Sequence, residues 1–169
     1  MGAGKTTFYE AYLKEAFPTL VSAVRDQQLP FLNNRRSFAV EDVRVNTQLL
    51  DEAKTAGYTT NVLFISTEDA NLNIGRVLVR GSRGGKLETA HRVIDSYRES
   101  TKNLAEVRKH ADNLMLYDNT AHNRGYRVVA HFIGGELSKT AQTIPDWAAK
   151  VFGNELQPAK QRATSGRGR

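Results

Sequence analysis

Two glycines, a lysine and two hydroxyls stand together at residues 2–7, Gly2-Ala3-Gly4-Lys5-Thr6-Thr7. That set suits anion chemistry. In the pattern G-x-x-x-x-G-K-[ST], backbone N–H groups wrap phosphates, the lysine reaches their outer oxygens and the hydroxyl ligates Mg²⁺. Glycine is required because the chain must approach the anion closely and take up positive φ. The helix that follows adds its unpaired N–H groups. Gly2, Gly4, Lys5, Thr6 and Thr7 are therefore candidate nucleotide-binding residues, with Thr6 the metal ligand. The pattern's leading glycine would fall two residues ahead of Met1, and the apolar strand that feeds such a loop is missing from the chain. Read alone, the segment also fits an ordinary helix start behind a frayed N-terminus.

Four other groups could join that chemistry. Glu41 closes a short apolar run. Arg76 and Arg80, four residues apart on a helix, share a face and precede the turn Arg80-Gly81-Ser82-Arg83-Gly84-Gly85-Lys86. The alternative for these arginines is a solvated face paired with Glu68 or Asp69. Asp118-Asn119 ends a strand, where such a pair commonly makes a turn. His91, His110, His122 and His131 have no metal-ligand spacing and fit surface or core positions.

The elements that must position these groups follow from periodicity. Helices are expected over 5–17, closed by Pro18, and over 20–34 with an interruption near Pro30. Others are expected over 47–56, with Asn46 as N-cap and Gly57 just past the end, over 71–81, over 89–111, and from Pro145 to about Leu156. Strands are expected at 37–41, 58–66, 114–117 and 127–133, the last stopped by Gly134-Gly135. The continuous Val62-Leu63-Phe64-Ile65 run suits a parallel strand covered on both faces. Tyr97 and Trp147 fall on apolar faces and read as core. Strands alternating with helices imply an α/β fold with a mostly parallel sheet flanked by helices.

With 169 residues, 40% of them apolar, the chain can enclose one core, taken here as a domain over 1–156. Residues 157–169 read as a basic, disordered tail. No run approaches the roughly 20 apolar residues of a membrane helix, and no secretory signal opens the chain. Without cysteine, disulfides and thiolate metal sites are excluded, and a cytoplasmic setting is expected. The net charge of +6 points to an anionic partner. Its excess lies in the tail, at Lys160, Arg162, Arg167 and Arg169, and around residues 76–98. No interleaved aromatics accompany it, so a nucleic-acid surface is not expected.

Taken in order, the motifs resemble the zeta-toxin family of P-loop kinases. The resemblance rests on Gly-Ala-Gly-Lys-Thr-Thr-Phe-Tyr-Glu at 2–10, Arg-Ser-Phe-Ala-Val-Glu at 36–41 and Ala-Gly-Tyr at 56–58. It continues with Leu-Asn-Ile-Gly-Arg-Val at 72–77, Gly84-Gly85, Tyr97, Ser100, Asn103-Leu104 and Tyr117-Asp118-Asn119-Thr120. It implies a P-loop NTPase-like fold with an incomplete N-terminus and an ATP-dependent phosphotransferase using Mg²⁺. The implied substrate is a small hydroxyl compound of the nucleotide-sugar kind, since the best-known members phosphorylate UDP-N-acetylglucosamine. An antitoxin-like protein is the implied partner. Under the resemblance, Lys5, Arg76, Arg80 and Arg83 are the catalytic cations and Glu41 contacts substrate. Asp118 and Asn119 lie near the nucleotide.

The departures weigh against full activity. The family's general base sits in an Asn-Ala-Asp-like stretch after the first helix, which looks deleted here. Asp26 and Asp42 are the nearest carboxylates, and neither matches the motif. Ser96 stands where a lid arginine is expected, with Arg98 displaced, and Lys86 stands in place of a histidine. A base contributes typically 10²–10⁴-fold. A catalytically inactive nucleotide-binding or protein-interaction remnant is therefore the alternative expectation.

Overall fold

The computed structural model describes residues 1–121 and 125–156, so the expected tail and His122 lie outside the described residues. The first helix, α1, opens as Lys5–Phe8, widens into a π-helical turn at Tyr9–Leu13 and closes as Lys14–Ala16. Next come β1 (Val21–Ser22), α2 (Arg25–Asn33) and β2 (Phe38–Ala39). They are followed by α3 (Thr47–Thr55), β3 (Asn61–Ser66), α4 (Ala70–Ser82) and α5 (Ala90–His110). The chain then forms β4 (Asn113–Asp118), β5 (Arg127–Ile133), β6 (Glu136–Thr140) and α6 (Asp146–Phe152), ending in a 3₁₀ turn at Gly153–Leu156.

The fold is α/β, but the expectation of a mostly parallel sheet is overturned. The main sheet is mixed, in the order β3-β4-β5-β6. β3 and β4 run parallel, joined through α4 and α5, whereas β5 is antiparallel to β4 and β6 antiparallel to β5. Residues 119–126 are too few for a crossover helix, which needs a dozen residues or more, so β5 must turn back. The Gly134-Gly135 pair does not stop the sheet. Both glycines take positive φ, 56° and 83°, and make the two-residue hairpin turn that introduces β6. β6 is absent from the sequence expectation.

Other boundaries shift for local reasons. The helix expected over 20–34 begins only at Arg25, because Val21 and Ser22 pair in parallel with Phe38 and Ala39. It runs through Pro30 and ends at Asn33. Asn46 caps α3, accepting from the Leu49 N–H at 3.3 Å, and Thr89 caps α5, accepting from Arg92 N–H at 3.3 Å.

Alternation along the strands gives the sheet two covered faces. Val62, Leu114, Leu116, Val129 and Phe132 pack with Leu104 and Val107 of α5 and with Trp147 and Phe152 of α6. Ile65 packs on the other face with Ala3 and Phe8, and Leu63, Tyr117 and Tyr126 close around them. Trp147 is core as expected, 2% exposed. Tyr97 is only partly buried, its hydroxyl donating to the carbonyls of Thr67 at 3.0 Å and Glu68 at 3.1 Å.

Candidate functional site

The glycine turn is held from three sides. Gly4 takes φ 92°, and a Cβ there would come within 2.5 Å of Asn119 Nδ2 and 2.9 Å of the Tyr126 hydroxyl. Those two groups brace the turn: Asn119 Nδ2 donates to Ala3 O at 2.8 Å, and Tyr126 donates to Gly4 O at 2.7 Å. Gly2, with φ 76°, passes so close to α4 that a Cβ would meet the Asn73 carbonyl oxygen at 2.6 Å. Phe8 anchors the helix behind the turn, its ring centre 4.8 Å from that of Tyr126 and 5.0 Å from those of Tyr12 and Tyr117.

Lys5 and Thr6 follow as the first residues of α1. Burial depresses the Lys5 ammonium below its ordinary value, while the carboxylates of Glu41 and Asp42 act in the opposite direction. The Thr6 hydroxyl donates to the Glu41 carboxylate, with its oxygen 2.8 and 2.9 Å from the two acceptors. Glu41 lies two residues beyond β2, whose pairing with β1 fixes where it emerges. A hydroxyl and a carboxylate thus meet at the end of the glycine turn, next to a half-buried lysine that feels the carboxylate's charge. The hard oxygens of Thr6 and Glu41 fit the donor preference of Mg²⁺, and Lys5 fits a phosphate oxygen. Thr7 is exposed on the same turn of helix.

The lid arginines do not all serve one purpose. Arg76 Nη2 donates to the Asn119 carbonyl at 2.8 Å, while its Nη1 is buried with no hydrogen-bond partner among the described residues. Arg76, Asn119 and Ala3 therefore form one chain of contacts from α4 to the glycine turn. Arg80 Nη2 donates to Lys86 O at 2.9 Å and its own carbonyl receives Gly85 N–H at 3.0 Å, so the glycine-rich turn folds back onto it. Arg83 is exposed at the end of α4. The proposed pairing of this face with Glu68 or Asp69 is not what these acids do. Asp69 caps α4 through Asn71 and Leu72 N–H, and Glu68 accepts from Asp146 N–H.

Two clefts result. The larger, about 1470 Å³, is lined by Lys5, Thr6, Glu41 and Asp42. The smaller, about 680 Å³, is lined by Arg76, Arg80, Arg83, Gly85 and Thr120. The expected residues are thus brought to neighbouring clefts linked by the Arg76–Asn119–Ala3 chain, and Thr6 and Glu41 are hydrogen-bonded side chain to side chain.

Asp118 has a structural occupation. Its carboxylate accepts from Thr120 N–H at 3.0 Å, from the Thr120 hydroxyl, and from Arg127 Nη2 at 2.8 Å. It shapes the turn after β4 and ties β5 to it. Tyr126 escaped the sequence reading, and Asn73 and Thr120 entered it only inside the quoted motifs, with no role assigned. Tyr126 carries no motif signal, and only the fold brings it to residue 4.

No family model matches the chain, and neither a curated protein nor a solved structure matches it. No helix among the described residues is long and apolar enough to cross a membrane.

Proposed function

We propose that the chain binds ATP with Mg²⁺ through the glycine turn and transfers a phosphoryl group to a small hydroxyl substrate of the nucleotide-sugar kind. The observation that carries this reading is the Thr6–Glu41 contact, beside Lys5, at a glycine turn whose φ and close contacts disfavour any side chain. Phosphoryl transfer asks the protein for position and charge more than for covalent chemistry. Lys5 is a desolvated cation at the helix start, where a phosphate oxygen gains most from it. Thr6 and Glu41 would hold the metal, which would neutralise charge on the phosphates. Arg76, Arg80 and Arg83 bring further positive charge to the adjoining cleft. The resemblance to zeta-toxin kinases supplies the substrate class and the antitoxin-like partner.

The Asp118 network favours a second reading, a nucleotide-binding or interaction module without turnover. Asp118 is held by Thr120 and Arg127 and so is not free to act as a base. Calorimetric titration with ATP·Mg²⁺, beside Lys5→Ala, tests both readings. Micromolar binding lost in the variant supports the nucleotide site, and phosphate transfer to a nucleotide sugar then separates enzyme from module. A folded chain that binds no ATP overturns the phosphotransferase reading and leaves the interaction module as the better account.

A further inference from the structure

Arg76 stands among the phosphate-facing cations that the resemblance implies, but its guanidinium is engaged elsewhere. Nη2 donates to the Asn119 carbonyl at 2.8 Å, and Nη1 is buried with no hydrogen-bond partner among the described residues. An atom enclosed in this way is closed off from an anion in the open cleft. Arg80 and Arg83, on the same helix, are exposed. The three arginines therefore divide into two that face solvent and one that grips the main chain after β4.

That grip has a consequence at residue 4. The Asn119 N–H donates to Ser66 O at the end of β3, at 2.8 Å, while the Asn119 carbonyl receives Arg76 from α4. The peptide planes on both sides of Asn119 are fixed, and with them the direction of its side chain, whose Nδ2 donates to Ala3 O at 2.8 Å. In a trans peptide the C=O and the N–H point in opposite directions. Holding Ala3 O toward Asn119 therefore turns the Gly4 N–H to the far side of the turn. Tyr126, donating to Gly4 O at 2.7 Å, does the same for the Lys5 N–H. N–H groups aimed outward at a helix start are the ones an anion uses.

We propose that Arg76 is a positioning residue for the glycine turn: acting through Asn119, it sets the direction of the Gly4 N–H and makes no contact with phosphate. This role rests on the nucleotide reading of the turn and adds to it a residue that works at one remove. α4 meets the turn at a second point, where Gly2 lies against the Asn73 carbonyl, so the helix carrying Arg76 is itself registered on the segment it positions.

The test is a double-variant cycle on the whole chain, with ATP·Mg²⁺ and ADP·Mg²⁺ titrated calorimetrically into the parent, Arg76→Met, Asn119→Ala and the combined variant. Each single change should weaken both nucleotides by about tenfold, the scale of one lost hydrogen bond, and the combined variant should lose no more than either. In the ligand-free chain the ¹⁵N-amide resonance of Gly4 should move in both single variants. An arginine that only stabilised the fold would lower the urea midpoint and leave that resonance in place. Where Arg76→Met does not fold, Arg76→Lys keeps the charge and most of the stem and carries the cycle. Losses that multiply to about a hundredfold, a loss for ATP larger than that for ADP, or an unmoved Gly4 resonance would each overturn the positioning role alone. A parent that binds neither nucleotide overturns the nucleotide reading and this role with it.

Discussion

The Thr6 hydroxyl and the Glu41 carboxylate, 35 residues apart in sequence, meet at 2.8 and 2.9 Å. The contact joins the helix behind the glycine turn to the segment leaving β2, and it lies beside the depressed Lys5 ammonium. Glu41→Gln keeps a hydrogen-bond acceptor for Thr6 and removes the charge. ATP·Mg²⁺ binding should then weaken by about 10–100-fold, the usual cost of disturbing a metal site's ligands or their supports. Binding of ATP without metal should be unchanged or stronger, because a negative charge beside the phosphates is gone. Titrations with and without Mg²⁺ make the comparison. Equal losses in both would remove Glu41 from the metal site.

Gly4→Ala places a methyl against Asn119 and Tyr126 in a backbone conformation that alanine disfavours. Left-handed backbone costs an L-residue roughly 1–2 kcal/mol, and displacing either brace adds about 0.5–1.5 kcal/mol for its hydrogen bond. Urea unfolding should show a loss of about 1.5–3.5 kcal/mol on those terms, together with loss of ATP binding. Tyr126→Phe, which removes only the hydroxyl donated to Gly4 O, should cost about 0.5–1.5 kcal/mol and leave the turn glycine tolerated.

The contrast between Lys5 and Tyr126 marks where sequence reasoning reaches its limit. The places of Lys5 and Thr6 at a helix start and of Glu41 beyond a strand were legible because those are local signals, whereas the contact between Thr6 and Glu41 was not. Tyr126 and Asn119 reach the same turn across 122 and 116 residues; the resemblance points to Asn119, and nothing in the neighbours of Tyr126 announces it. α5 and β5 were legible almost to the residue, since a long amphipathic period and an unbroken apolar run are local signals. β6 was not. Its sequence, Glu-Leu-Ser-Lys-Thr, is polar and mostly exposed, and the Gly134-Gly135 pair, which ends β5 as expected, also makes the hairpin that starts β6. β1 and the late start of α2 depend on partner residues seventeen positions away, a tertiary effect that overrides helix period.

His110 supplies a pH-dependent tie between α5 and α3. Its Nδ1 lies 2.8 Å from Asp51 Oδ1 and its Nε2 lies 3.2 Å from Glu106 Oε1. The hydrogen bond to Asp51 first, and that to Glu106 second, raise its pKa above the ordinary histidine value. A raised folded pKa means the folded state holds the proton more tightly than the unfolded chain. The added stability is complete below the unfolded pKa near 6.5 and is lost as pH rises through the folded value. Melting temperature should therefore fall as pH rises from about 6.5 through the higher folded value, and His110→Gln should flatten that slope. The His110 ring resonances should titrate at higher pH than those of a model peptide, and Asp51→Asn should bring them back. An unshifted ring would sink the assignment.

Lys5 carries the opposite sign. Burial lowers its pKa, so in the window between the folded value and 10.5 the unfolded chain binds more protons than the folded one. The charged ammonium works against folding below that window, and the burden is lifted as pH rises through the folded pKa. Lys5→Met keeps the buried alkyl stem and removes the charge, so it should raise the melting temperature at neutral pH. The expected rise is a few degrees, the scale on which about 1 kcal/mol registers in a domain of this size. The same variant should lose ATP binding, because the cation that burdens the free fold is the one a phosphate would neutralise. Stability and affinity would then move in opposite directions at one residue, a trade-off expected where a site holds strained charge. Differential scanning calorimetry beside ATP titration reads both. A variant less stable than the parent would mean that Glu41 and Asp42 outweigh the burial of Lys5, making the lysine a structural ion pair and not a site held ready for an anion.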